Sequence, residues 1–401
     1  MPPDAPAPVT PPLHGITVVD VSHALAGPYA SLMFADAGAR VIKVESPRGG
    51  DTSRGWGPPF VEQGPAREST YFLSVNRSKL SVTLDLRTEE GLAAFKRLLV
   101  TADVLVENFR PGTLDKMGLD ESGLEALNPS LIVLSITGFD PTSADADRSG
   151  FDQIIQGEAG LMSVTGAADG EPTRFGIPIT DIVAGMFGAF GAMVALRDRD
   201  AGQTNGQRVS TSLFASAVAL HTYQGTAWTV GGRHPRRTGN HHPSIAPYGS
   251  FRCSDGHVNL AVGTESLWQT FAAELGIEPD HPDFATNADR CVNGVELSAR
   301  IEAVLATRDC ESWVQRFLDL GVPVGRIRRI DEVYDQEGRD RSGASTTVHH
   351  PHLGPLRLPA SPLRYSRSQL SEPFHPPALG EHNDLLGAAE HQSTGGGGIH
   401  A

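Results

Sequence analysis

From Gly15 onward the chain alternates two textures. Short β-branched runs, apolar at almost every position, are followed by longer stretches in which apolar residues recur every three or four positions. ITVVDVS predicts a strand, GPYASLMFADAG a helix closed by Gly38, and ARVIKVES a second strand. SKLSVTLDL predicts another strand and TEEGLAAFKRLLVTA a helix capped by Thr88; DVLVENF, GLDESGLEALNP and LIVLSITGF then predict strand, helix and strand. Strands that alternate with helices and are apolar on both faces predict a parallel sheet covered on both sides, an α/β fold.

The texture then changes. A long helix is expected from Asp181 to about Asp198, and VSTSLFASAVALHTYQGTAWTVGG reads as a further helical stretch. RHPRRTGNHHPSIAPYGSF is a loop, and YGSFRCSDGHVNLAVG a hairpin turning at Asp255-Gly256. Three helices follow: ESLWQTFAAELG, GVELSARIEAVLAT and CESWVQRFLDLG. The expected organisation is a disordered leader over 1–12, a large α/β domain over 13–224, a smaller α+β domain over 225–330, a return segment over 331–389 that completes the large domain, and a disordered tail over 390–401. The return segment is proline-rich and expected to be extended from His349 to Leu379.

The 401 residues exceed one ordinary domain, and a net charge of −14 argues against nucleic acid or anionic membrane as partner. There is no unbroken apolar run of membrane-spanning length, and MPPDAPAPVTPP has neither a basic segment nor an apolar core. Cys253, Cys291 and Cys310 are too few and too widely spaced for a disulfide framework, so a reducing, cytoplasmic setting is expected. The basic residues are uneven. All four lysines, Lys43, Lys79, Lys96 and Lys116, lie in the first third beside Arg48, Arg54, Arg77, Arg87 and Arg110. They read either as solvated helix faces or as a patch for a small polyanion.

The first βαβ unit imitates a dinucleotide site, but VSHALAGPYA offers only Gly27 in place of the glycine fingerprint, which argues against NAD. Gly27-Pro28 starts a helix, as a plain cap or as a phosphate or adenine contact. ENFRPGTLDKMG sets Asn108, Arg110 and Lys116 beyond a strand's carboxyl end, where α/β sheets bind ligands. Asp181 follows Pro178 and opens a helix with no charge from Ile182 to Leu196; Gly185, Gly188 and Gly191 imply that another backbone packs closely against it. Asp181 reads either as an N-cap or as a carboxylate nucleophile held ionised by helix amides. His241, His242, His349, His350 and His352 lack partners at ligand spacing, so no metal is expected. Neither a G-x-S-x-G elbow nor a P-loop occurs.

Taken together, these stretches resemble the class III coenzyme A transferases, a family that includes formyl-CoA and carnitine-CoA transferases and α-methylacyl-CoA racemases. The resemblance runs from about Leu13 to Gly387. It rests on LHGITVVDVSHALAGPYASLMFADAGARVIKVE, NRSKLSVTLDLRTEEG, DVLVENFRPGTLDKMGL, GFDQIIQGEAGLMSVTG, GIPITDIVAGMFGAFGAMVAL, RTGNHHPSIAPYGSF, FATNADR, GVPVGRI and PALGEHND. It implies a Rossmann-like large domain, an obligate homodimer of interlocked rings, and an active site shared between the large domain of one subunit and the small domain of its mate. It places the catalytic aspartate on Asp181 and CoA contacts on Leu25, Ala26, Leu84 through Arg87, Asn108, Phe109, Arg110, Lys116 and Arg148 through Phe151. The active-site loop falls on 239–249, with Gly239, Asn240, His242 and Pro243.

CoA enters as a substrate thioester, with a carboxylic acid as acceptor and no prosthetic group. Two departures narrow the expectation. Leu25 stands where formyl-CoA enzymes carry glutamine, and Phe151 where racemases carry a catalytic histidine. A phenyl ring exchanges no proton, so transfer through an aspartyl anhydride is expected over 2-methylacyl-CoA isomerisation or CoA binding without catalysis.

Overall fold

The computed structural model describes residues 10–334 and 345–387. The expected disorder of leader and tail lies outside these, except at Thr10–Pro12. There the expectation is corrected: His14 N donates to Pro11 O at 3.0 Å, and Pro11 packs over Gly38.

In chain order the elements are β1 Thr17–Asp20, α1 Ala26–Asp36, β2 Arg40–Glu45, the hairpin β3 Phe60–Gln63 and β4 Ala66–Ser69, α2 Thr70–Val75, β5 Lys79–Thr83, α3 Glu89–Val100, β6 Val104–Glu107, α4 Thr113–Lys116, α5 Glu121–Leu127 and β7 Ile132–Thr137. There follow α6 Asp152–Glu158, α7 Leu161–Val164, α8 Ile179–Asp200, β8 Arg208–Ser212, α9 Leu213–Ala219, α10 Thr222–Thr229, β9 Tyr248–Arg252, β10 His257–Ala261, α11 Glu265–Leu275, α12 Asn287–Val292, α13 Gly294–Leu305, α14 Cys310–Asp319, β11 Val324–Arg326, α15 Ile330–Tyr334, β12 Ser345–His350 and β13 Gly354–Pro359. The described residues divide into two compact units, one of 10–159, 176–222 and 345–387, the other of 160–175 and 223–334.

The first unit is built on a six-stranded parallel sheet ordered β5-β2-β1-β6-β7-β8. Strand order reverses between β1 and β6, and the crevice beyond their carboxyl ends is where such sheets take ligands. Thr88 caps α3 by accepting from Gly91 N, and the apolar stripe of α3 (Phe95, Leu98, Leu99) packs with Ile42, Val82 and Leu105 of the sheet. Val209–Ser212, expected to be helical, is instead the edge strand β8, pairing with β7 from Val133↔Arg208 to Thr137↔Ser212. Ser212 ends the strand and caps α9 at once by accepting from Ala215 N, so no turn residue separates the two elements.

Helix α8 is long and apolar enough to cross a membrane by length and composition, although glycines interrupt its apolar side chains. Its small residues Ala184, Gly185, Gly188, Ala189 and Ala192 are buried. Close backbone packing holds at Gly185 only, where an added Cβ would stand 2.6 Å from Ala26 O of α1; Gly188 meets the side chains of Leu134 and Ile136, and Gly191 that of Val209. The opposite face leaves Met186, Phe187, Phe190, Met193 and Val194 exposed.

From Ser345 the return segment forms a β-hairpin of two extended strands. β12 and β13 pair antiparallel, and Val348, Leu353, Leu356 and Leu358 bury Leu73. Beyond Pro359 the chain runs without regular structure to β5, where His382 N donates to Ser81 O at 2.9 Å and Thr83 N to Asn383 Oδ1 at 2.8 Å.

The second unit packs α11, α13 and α14 around the antiparallel sheet β11-β10-β9. Trp268, Phe271, Phe284 and Phe317 are fully buried there, each contributing about 2–3 kcal/mol of burial.

Candidate active site

Between β1 and α1 the chain makes a tight turn, Ser22–Leu25, held from three sides. Asn108, just past β6, accepts from His23 N at 2.9 Å and donates to His23 O at 2.8 Å, clamping the loops on either side of the reversal point. Lys43 Nζ donates to Ser22 O at 3.0 Å. Asp51 Oδ1 accepts from Ala24 N at 3.0 Å and so fixes a residue in the left-handed region (φ 67°), where a Cβ costs about 1–2 kcal/mol.

Two of these holding groups, Lys43 and Asp51, are charged and fully buried, which is tolerable only because they pair. Lys43 lies 2.8 Å from Asp51, and Lys79 lies 3.2 Å from Asp20 and 2.9 Å from Asn76 Oδ1. Burial alone would push Asp20 up, but Lys43 and Lys79 outweigh it and bring its pKa down to about 2; burial lowers Lys79 to about 8. The reading of the basic residues as one ligand patch is therefore corrected. Lys43 and Lys79 are interior, Arg54 is bound to Glu45 and Glu68, and Arg77 to Asp36. Arg48, Arg87, Arg110 and Lys116 remain exposed.

Asp181 is half-buried on the first turn of α8. The helix begins at Ile179 with Pro178 at the cap position, so Asp181 is not the N-cap. Nor do helix amides hold it ionised: Thr180 N donates instead to Asp152 Oδ1 at 2.9 Å. Among the described residues, no hydrogen bond or ion pair acts on the Asp181 carboxyl group; burial, and then the charge of Asp152, push its pKa up to about 7. Tyr71, packed edge-on against Trp56 at 4.9 Å, is pushed to about 12 by burial and then by Asp181 and Asp152, so its hydroxyl keeps its proton. Ile182, the residue after Asp181, packs with Tyr29 and Tyr71 around buried Leu25, Leu32 and Val75.

Among the described residues, hydrogen bonds and close backbone packing join some of the expected site residues of this unit and leave Leu84, Arg87 and Lys116 apart from them. Leu25 and Ala26 begin α1, against α8. Phe109 packs on the core, while Arg110 reaches Ser149 Oγ at 3.4 Å and lines, with Phe109, Ser135 and Arg208, a cleft of about 560 Å³. Arg148 is bound to Asp145 and Glu158, and Phe151, 62% exposed, directly precedes Asp152. Leu84 is buried beyond β5, and Arg87 is bound to Asp85 at 2.8 Å. Lys116 stands exposed at the end of α4.

Gly239, Asn240, His242 and Pro243 belong to the second unit. Gly239 N donates to Gly166 O at 3.0 Å and His242 N to Tyr248 O at 2.9 Å. The His242 ring stacks on Tyr248 at 5.2 Å, and the loop walls a cleft of about 610 Å³ opposite Val292 and Val295. Sequence reasoning missed Asp152, Thr180 and Tyr71. Asp152 reads as an ordinary first-turn acid of a short helix, and nothing local shows that it serves another helix.

A parallel α/β sheet whose carboxylate-bearing helix α8 packs against α1, β7 and β8 is the frame of the site, and relatives specify the class. The profile of CoA-transferase family III matches residues 13–383. The succinate–glutarate CoA-transferase of Agrobacterium fabrum is 39% identical over 93% of this chain and 94% of its own length. The succinyl-CoA:glutarate CoA-transferase of mouse is 35% identical over 92% of this chain and 84% of its own. A solved CaiB/BaiF-family protein from Brucella suis, 36% identical, superposes with a TM-score of 0.85 over 94% of this chain and 99% of that one. The chain belongs to CoA-transferase family III. It is a CoA-transferase whose substrate is a CoA thioester.

Proposed function

We propose that this enzyme moves CoA from an acyl-CoA to a dicarboxylic acid through covalent intermediates on Asp181. The observation that carries the reading is the Asp181 carboxyl group, held on the first turn of α8 with no hydrogen bond or ion pair among the described residues and with its proton affinity raised by burial. Its ionised form attacks the thioester carbonyl; the C–S bond breaks, leaving an aspartyl anhydride and CoA thiolate. The thiolate attacks the aspartyl carbonyl, releasing the donor acid and forming an aspartyl-CoA thioester. An acceptor carboxylate attacks that thioester, giving a new anhydride and thiolate. The thiolate then takes the acceptor's acyl group and frees Asp181. In this reading the Tyr71 hydroxyl, which keeps its proton, donates to a developing oxyanion.

The relatives act, by their names, on succinyl-CoA and glutarate, which supports a dicarboxylic acceptor. In this reading Leu25, Ala26, Leu84, Asn108 and Phe109 shape the CoA seat, Arg87, Arg110 and Lys116 face its phosphates, and Arg148 and Phe151 border it. The 239–249 loop serves as lid, keeping water from the anhydride. The exposed apolar face of α8, with Phe151 and Ile154 of α6, supports a homodimer, and the resemblance supports the interlocked form. The three free thiols suit a reducing, cytoplasmic setting.

The test is hydroxylamine trapping during turnover with succinyl-CoA and a panel of dicarboxylic acids. A hydroxamate on the peptide containing Asp181 is expected; labelling elsewhere, or none, overturns the nucleophile assignment.

A further inference from the structure

Asp152 makes contacts that the chemistry above does not ask for. As the first residue of α6 it would ordinarily serve its own helix, yet Oδ1 faces α8. It accepts from Thr180 N at 2.9 Å and from Thr180 Oγ1 at 2.8 Å, while Oδ2 accepts from Gln156 Nε2 at 2.8 Å. Thr180 and Gln156 are fully buried, so these donors have little access to water. Pro178, in the cap position, makes no side-chain capping bond. The residue so held is the one directly before Asp181.

We propose that Asp152 is a positioning residue: it caps α8 from outside that helix, fixing where Asp181 stands, and it places a second carboxylate beside the nucleophile. The inference rests on Asp181 being that nucleophile. The cap supplies what the sequence of α8 lacks, an oxygen for a first-turn amide, and an anion at that helix end is favoured by the helix dipole.

The neighbouring charge acts on reactivity in two ways. Ionised Asp181 is made more basic, hence a stronger nucleophile, and its conversion to a neutral anhydride or thioester relieves the repulsion. The other groups on elements packed against this turn do not replace it. Tyr71 of α2 is neutral; α1 carries Tyr29, and Asp36 bound to Arg77; β7 and α9 carry no titratable group; Arg208 of β8 is bound to Ser135 and lies 3.7 Å from Glu107; and Glu158 of α6 is bound to Arg148.

Asp152→Asn keeps a carbonyl oxygen for Thr180 and removes the charge; Asp152→Ala removes both. In the full-length enzyme, the acid limb of kcat/KM for succinyl-CoA is expected to move down by about one pH unit in Asp152→Asn. In Asp152→Ala, kcat should fall at least about tenfold with KM for succinyl-CoA little changed, and Asn should restore much of that fall. An unmoved acid limb in Asp152→Asn, with Asp181→Ala inactive, overturns this inference alone. An active Asp181→Ala variant overturns the nucleophile reading beneath it. If Asp152→Ala does not fold, the pH profile of Asp152→Asn still decides.

Discussion

Gly185 of α8 lies against the carbonyl oxygen of Ala26, so near that a Cβ at Gly185 would stand 2.6 Å from it. Through this contact the helix bearing Asp181 and the helix whose start is the expected CoA seat are set at a fixed distance. Glycine inside a helix costs about 1 kcal/mol relative to alanine, so the contact outweighs local propensity.

Gly185→Ala should therefore destabilise the protein despite improving helix propensity. The obstacle is backbone, which cannot rotate aside, and a loss of about 1–3 kcal/mol is expected in urea unfolding. Activity should fall further than stability, because α1 and α8 must part.

Asp181→Asn should abolish transfer while CoA still binds, read by isothermal titration. It should also stabilise the fold in a pH-dependent way. The folded pKa of Asp181, about 7, lies above its unfolded value, so the native state holds this proton more tightly and its stability falls as pH rises from about 4 to about 7. The variant should gain roughly 1–3 kcal/mol over wild type at pH 8, and calorimetric melting should show the gap closing toward pH 4.

Asn108→Ala removes both bonds to the His23 backbone. Each is worth about 1 kcal/mol. The turn 22–25 should loosen, raising the Kd for CoA about tenfold by titration calorimetry. Unchanged affinity would separate this clamp from the CoA seat.

Phe190→Glu puts a charge at the centre of the exposed face of α8, where Phe190 is 67% exposed. Within the subunit this should cost little. If that face is a dimer interface, light scattering should find monomers at concentrations where wild type is dimeric, with far-UV circular dichroism retained. A wild-type dimer undisturbed by this change would remove α8 from the interface.

Most of the first sheet was legible because its strands are continuous β-branched runs separated by periodic helices, and both signals are local. β8 was not: VSTS runs into a helix without a glycine or proline, and only pairing with β7 makes it a strand. β12 and β13 were obscured by prolines, which edge strands tolerate. Of the four lysines of the first third, Lys43 and Lys79 are paired and interior while Lys116 is exposed, a division that composition cannot make.

For the site, the sequence by itself determined the chemical types and their order: a turn into α1, a basic loop after β6, and a lone carboxylate opening an uncharged helix. These follow from residue identity and nearest-neighbour spacing. Only the tertiary structure decided what those groups do to one another. The cap of α8 comes from Asp152, 28 residues before Thr180, and the turn at His23 is held by Asn108, 85 residues away. Capping and proton affinity depend on distances in space and on exclusion of water, and folding sets both among residues far apart along the chain.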